Sequence, residues 1–269
     1  MLMIGLGEAG KNIAKLFKPH SKNYKVILID GGEGIETKNT VEEYDSVDFK
    51  LKQKGLKSHS EAILFVCGSG KVAGATLRIL EALKGFKTTV VYIKPDVEFA
   101  SRLEKKRHKV HFGILQQYAR TGSIHEMILV DNKILLNQAG AGKVTNYYEK
   151  VNYFIYSILQ NLMYCAHVDP DYGRIHEKKS ISRICTIGFG GFYEDDENFI
   201  FPLDNITETC YYINIEESDL ENDTNIIPRC QEIVRENKTK DRETSFAIWK
   251  SSENNHYYSK HYTHFIQEE

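Results

Sequence analysis

MLMIGLGEAGKNIAKLF (Met1–Phe17) is the stretch from which the fold is read. Met1–Gly5 is a short apolar run, and Ile13, Leu16 and Phe17 fall on one helical face. A strand therefore passes through a glycine-rich turn directly into a helix. Gly5, Gly7 and Gly10, with Asp30 closing the next strand, satisfy the dinucleotide fingerprint, including the acid that would bond a ribose hydroxyl. The physics of such turns is broader than one ligand. Glycines let the backbone approach a phosphate, and the helix N-terminus offers free N–H groups and a partial positive charge.

Outward from that turn the pattern repeats. Lys25–Asp30, Ala62–Cys67, Thr88–Lys94 and Glu126–Asp131 are apolar runs of the kind covered on both faces, and helical stretches at Ala73–Leu83 and Phe99–Arg120 separate the later ones. Strand and helix in alternation predict an α/β domain with a doubly wound parallel sheet, whose ligand belongs at the carboxyl ends of the strands. A second glycine loop, Cys67-Gly68-Ser69-Gly70-Lys71-Val72-Ala73-Gly74, also joins a strand to a helix and reads as a phosphate cradle or a tight turn. It lacks the G-K-[ST] of a Walker loop. Residues 145–164 form a long helix, apolar or aromatic most of the way round. Asp169-Pro170-Asp171 stops it. Beyond it Arg183–Ile187, Phe199–Leu203, Thr209–Glu216, Thr244–Ser251 and His256–Gln267 read as strands, with one helix at Ile226–Asn237. The predicted organisation is a nucleotide-binding domain (1–144), a central helix and loop (145–168) and a smaller α+β domain (169–269).

Composition excludes other classes. The 269 residues carry 35 Lys+Arg against 37 Asp+Glu, so no net basic field attracts nucleic acid. No apolar run approaches the roughly 18–20 residues of a membrane span. The chain turns glycine-rich at once, without the basic segment of a secretory signal. Five widely spaced cysteines read as buried free thiols. Together these point to a cytoplasmic protein with no membrane and no direct nucleic-acid partner. His256, Tyr258, Lys260, Tyr262 and His264 alternate onto one strand face, read as the outer face of an edge strand with no metal.

The order of the segments resembles the tubulin/FtsZ superfamily. GLGEAGKNIAKLF (5–17) is similar to the family's first nucleotide loop, with Asn12 at its base-proximal asparagine. GSGKVAGA (68–75) stands where the family has GGGTGTG. Pro95, then Glu98 and Arg102, is similar to an FtsZ pattern with one residue deleted after the proline, which implies ribose and phosphate contacts. VDNKIL (130–135) resembles tubulin's VDNEAI-type segment and makes Asn132 a guanine reader. YEKVN (148–152) resembles YGDLN, with Tyr148 stacking on the base and Asn152 bonding its edge. TCYYINIEESDLENDTNIIPRCQEIVRENK (209–238) and TSFAIWKSS (244–252) resemble segments of the second domain. Taken singly, these positions also read as caps, turns, core residues or a routine i,i+4 pair; their order is what carries the resemblance.

The resemblance implies GTP or GDP, with Mg2+, held by Gly7, Glu8, Gly10, Lys11, Asn12, Gly68, Ser69, Gly70, Lys71 and Gly74. It implies head-to-tail assembly with copies of itself, and hydrolysis completed by the acidic loop of the neighbouring subunit, here through Asp169 and Asp171. Two departures stand out. Val72 follows the glycine loop where positive φ would strain a β-branched residue. In the Asn-x-Asp-x-x-Asp/Glu loop, Tyr172 replaces the second acid, and Asp171 comes one residue early behind Pro170. The chain also has no long linker and tail of the FtsZ kind. A degenerate, non-hydrolysing structural or adaptor subunit is the alternative, and an NAD-dependent oxidoreductase built on GLGEAG and Asp30 is a third reading.

Overall fold

The computed structural model describes residues 1–20, 22–30, 38, 42–44, 46–47, 59–138, 147–237, 239 and 241–268. They form two compact units, residues 1–156 with 266–269, and residues 157–265.

The first unit is built on strands β1 (Leu2–Leu6), β2 (Lys25–Ile29), β3 (Glu61–Cys67), β4 (Lys87–Lys94) and β5 (Glu126–Asp131), all parallel, in the order β2-β1-β3-β4-β5. β1 and β5 are buried along their whole length, as unbroken apolar runs demand. Between the strands run helices α1 (Gly7–Leu16), α2 (Thr76–Ala82) and α3 (Arg102–Arg120); α4 (Asn132–Gln138) follows β5. From β1 the chain pairs first to one side with β2 and then to the other with β3, so the order reverses at β1. That reversal is the switch point where open parallel sheets bind ligands. The C-terminal residues return to this unit. The Gln267 N–H donates to Oε1 of buried Gln116 on α3 at 2.7 Å, and Gln116 Nε2 donates to the Gln267 carbonyl at 3.1 Å.

α5 (Tyr147–His167) crosses the division between the units at residues 156–157. The second unit is a mixed sheet of β6 (Tyr172–Arg174), β7 (Ile184–Gly191), β8 (Asn198–Phe199), β9 (Glu208–Glu216), β10 (Glu243–Ser251) and β11 (His256–Thr263), with α6 (Glu217–Asn222) and α7 (Ile226–Asn237). Its order is β7-β11-β9-β10-β6, with β8 on β7. β9 and β10 are parallel, and α7 lies in the crossover a parallel pair needs. The period of two divides β9 between its faces. Tyr211, Ile213 and Ile215 pack with Ile226, Cys230 and Ile233 of α7, while Tyr212 packs with Trp249, Ala247 and Cys165.

Four expectations are corrected. The second helix opens at Ala73 as a 3-10 turn and becomes α-helical at Thr76. α3 starts at Arg102, not Phe99, because Ser101 and Glu104 form a capping box; Glu98 lies outside the helix, so Glu98 and Arg102 are no i,i+4 pair. The strand expected over Phe199–Leu203 is only the two residues of β8. β11 is no edge strand: it is central, hydrogen-bonded to β7 and β9, and it buries Tyr257, Ser259 and His261. Four of the five cysteines are buried and Cys67 is half-buried; all are free thiols. Among the described residues no helix is long and apolar enough to cross a membrane, and no His/Cys/Asp/Glu group is arranged to hold a metal.

Candidate functional site

The carboxyl ends of β1, β3, β4 and β5 place the sequence-derived residues along one edge of the first unit's sheet. After β1, α1 begins at Gly7 with Leu6 in the N-cap position, and no side chain caps it. The first-turn N–H groups are thus not satisfied by a cap, the condition under which a helix end receives an anion. Gly7 adopts φ +71°, open to glycine at little strain. Glu8 is exposed in that first turn, and its carboxylate complements the dipole. Gly10 has a packing role. A Cβ there would stand 2.3 Å from the Phe65 carbonyl oxygen, so the glycine sets how closely α1 approaches β3.

The second glycine loop follows β3 and touches the first: a Cβ on Gly7 would lie 3.3 Å from Cγ2 of Val72. Inside the loop the Gly68 N–H donates to the Ile93 carbonyl, Gly70 to Cys67, Ala73 to Gly70 and Ala75 to Val72. Val72 has φ −103° and is buried, and none of the loop's glycines has positive φ. The strain expected at Val72 is absent because the loop closes as a 3-10 turn. Ser69, Gly70 and Gly74 are half-buried and Lys71 is exposed. Buried Tyr44 reaches the Lys71 carbonyl with its hydroxyl, at 3.4 Å.

Beneath Gly68 lies a pair of aromatic side chains that sequence reasoning missed. The Tyr92 hydroxyl is 2.7 Å from His108 Nδ1, and a Cβ on Gly68 would meet that hydroxyl at 1.9 Å. His108, His111, Phe112 and Leu115 follow i, i+3, i+4, i+7 along α3, a buried stripe visible in the sequence. Burial pushes His108 down to about 4, with the Lys94 charge adding to the effect, and burial lowers His111 too. Between pH 6.5 and 4 the native state therefore binds fewer protons than the unfolded chain. Stability is expected to fall as pH drops through that window, by about 3 kcal/mol for His108 in full. Urea unfolding at pH 7, 5.5 and 4.5 checks this, and His108→Gln should flatten the dependence.

Ion pairs knit the same edge together. Lys11 pairs with Asp30, so the acid of the dinucleotide reading is engaged by a neighbouring lysine. Lys94 pairs with Asp131 at 3.5 Å, and Lys133 pairs with Glu98. Asp131 Oδ1 accepts from the N–H groups of Lys133 (2.9 Å) and Ile134 (3.3 Å), capping α4; Asn132 therefore opens a helix rather than ending a strand. Arg102 is exposed at the start of α3, and Asn12 is half-buried on α1. On α5, Tyr148 is 63% exposed and Asn152, four residues on, half-buried.

The acidic residues after α5 belong to the second unit. Asp169 is exposed and makes no hydrogen bond or ion pair with the described residues. Asp171 is engaged: its N–H donates to the Ile248 carbonyl at 2.8 Å, and its Oδ2 accepts from the Lys250 N–H at 2.9 Å. Tyr172 is exposed in β6, its ring 6.3 Å from that of Phe246.

No protein-family profile matches the chain, and no curated protein matches it in sequence. Solved structures do. An FtsZ dimer of M. jannaschii superposes with TM-score 0.71 at 12% identity, over 97% of this chain and 87% of its own. TubZ of Bacillus thuringiensis serovar israelensis, in a GTPγS-form protofilament, gives 0.74 at 14%, over 99% and 86%. CetZ of Methanosaeta thermophila gives 0.70 at 13%, over 98% and 86%. The chain shares the mixed α/β fold of these FtsZ, TubZ and CetZ structures, the fold class its sequence predicted.

Proposed function

We propose that this chain binds a guanine nucleotide at the carboxyl edge of its parallel sheet and assembles head to tail into filaments, with hydrolysis completed across the subunit contact. The observation that carries the reading is the convergence of an uncapped helix N-terminus at Gly7 and the Gly68–Gly74 loop on the switch point between β1 and β3. The fold likeness supports it, since the TubZ structures include GDP-form protofilaments and a two-stranded filament. In this reading the start of α1 at Gly7 and the Gly68–Gly74 loop hold the phosphates. Glu98 and Arg102 lie towards the ribose, and Asn12, Asn132, Tyr148 and Asn152 towards the base.

Two details shape the chemistry. Backbone N–H groups and Lys71 are the phosphate-facing donors, because the two threonines of the family's loop are replaced here by Lys71 and Ala73. Of the carboxylates of this edge, Asp30, Asp131 and Glu98 each pair with a lysine, which leaves exposed Glu8. That donor set does not form a protein-borne magnesium cage. A magnesium ion would be held chiefly by the phosphates and water, neutralising their charge.

Hydrolysis requires a water oxygen to bond the terminal phosphorus as the bridging P–O bond breaks, giving GDP and phosphate. Asp169 of the adjoining subunit is the carboxylate we assign to orient that water. A heterologous contact of this kind does not close and so propagates as a filament. The engaged Asp171 and the neutral Tyr172 favour slow turnover, and at the limit the non-hydrolysing subunit. The pairing of Asp30 with Lys11 counts against the nicotinamide reading.

The test is nucleotide selectivity. Purified protein is denatured and the released nucleotide identified by chromatography, with titration of fluorescent GDP, GTP, ADP and NAD alongside. Guanine nucleotide bound in preference to adenine is the expected result; saturable NAD binding or no guanine binding overturns the proposal.

A further inference from the structure

The segment that turns α5 into β6 carries two aspartates, and the structure treats them differently. Six features hold the path of this turn. At its start the Trp249 Nε1–H donates to the Val168 carbonyl at 2.9 Å, and the Trp249 ring is 2% exposed, stacked on Tyr212 with centroids 5.8 Å apart. The Val168 N–H is itself bonded to the Tyr164 carbonyl, the last turn of the helix. Pro170 restricts the backbone of Asp169 to extended conformations and offers no N–H of its own. At the far end the Asp171 N–H donates to the Ile248 carbonyl. The Asp171 carboxylate then accepts the Lys250 N–H. Tyr172 pairs with Ile248 as the first residue of the β6–β10 ladder. The Asp171 side chain therefore supplies one more ladder acceptor, just past the point where backbone pairing with β6 ends.

We infer that Asp171 is a positioning residue, not a second catalytic acid: its carboxylate fastens the turn to β10 and fixes where Asp169 is presented. Only Asp169 and Pro170 lie between the two anchors, so the direction of the Asp169 side chain is set by a frame bonded to the adjacent buried Trp249 and to Lys250. The inference rests on the reading of Asp169 as the group that acts on the neighbour's nucleotide, but the anchor itself is a property of the second unit alone.

The two roles make opposite demands at position 171. A ladder acceptor survives as the amide oxygen of asparagine, whereas a catalytic carboxylate does not. Phosphate release per assembled subunit is measured for the full chain as wild type, Asp171→Asn and Asp171→Ala, with amide exchange of the 247–251 peptide followed by mass spectrometry. Asp171→Asn is expected to keep release within about 2-fold and the Lys250 amide protected. Asp171→Ala is expected to lower release roughly 10- to 100-fold, as misplacing a reacting group by about 1 Å does, and to expose that amide. Equal loss in both variants with Lys250 still protected makes Asp171 a catalytic acid and overturns the inference. Unchanged release in both overturns it as well. Should the wild type release no phosphate, the hydrolysis reading fails by itself and amide exchange decides about the anchor. Faster exchange at Lys250 in Asp171→Ala but not in Asp171→Asn upholds it, and identical exchange in all three chains removes it.

Discussion

Replacing Gly10 by alanine is expected to remove about 3 kcal/mol of stability, a large share of the roughly 5–15 kcal/mol that holds a domain folded. The new Cβ would stand 2.3 Å from the Phe65 carbonyl oxygen. That atom belongs to β3, which is hydrogen-bonded to β1 on one side and β4 on the other, so it has no room to retreat. α1 would have to lift, pulling Ile13 and Ala14 out of the core. The control is Gly113→Ala on α3, where a Cβ meets nothing within 4 Å. There the better helix propensity of alanine should add about 0.5–1 kcal/mol. Thermal unfolding of the two variants should move in opposite directions. Equal behaviour would show that the α1–β3 contact does not have the closeness described.

The second large effect is expected at Asp169. Asp169→Asn keeps the size of an exposed side chain that makes no hydrogen bond or ion pair with the described residues, so folding and assembly should persist. What is lost is the charge and proton affinity that orient a water, and phosphate release should fall about 100-fold while filaments live longer. The comparison is made at protein concentrations where both chains scatter light equally, so that a change in assembly is not mistaken for a change in chemistry. Unchanged release would remove Asp169 from the mechanism.

The fold was legible where hydrophobic burial alone determines structure. β5 and α7 lie at the residues their patterns predict, and β1 to β4 shift by one residue or so at their ends, because strands covered on both faces read as unbroken apolar runs. What the sequence hid is set by distant partners. β6 is Tyr-Gly-Arg, with no pattern of its own, and it exists because β10 offers a free edge. α4 was missed because Asp131 reads as the end of a strand, although the same residue caps the helix after it. β11 was mistaken for an edge because alternation tells which residues share a face, not whether both neighbours are present.

The site divides in the same way. The glycine loops and the acidic turn are local patterns and were read directly. The pairs Lys11–Asp30, Lys133–Glu98 and Tyr92–His108 span 16 to 35 residues, and nothing in the intervening sequence announces them. The buried stripe of α3 was the signal available for His108 and His111, and it was read only as a helix face.

The most direct test of the account is right-angle light scattering recorded together with phosphate release after adding GTP, GDP or a slowly hydrolysed GTP analogue to the purified chain. Scattering should rise with GTP and persist with the analogue, and it should decay only as phosphate appears. Absence of any nucleotide-dependent scattering, together with no bound guanine nucleotide, would contradict the account and leave the fold without the function assigned to it.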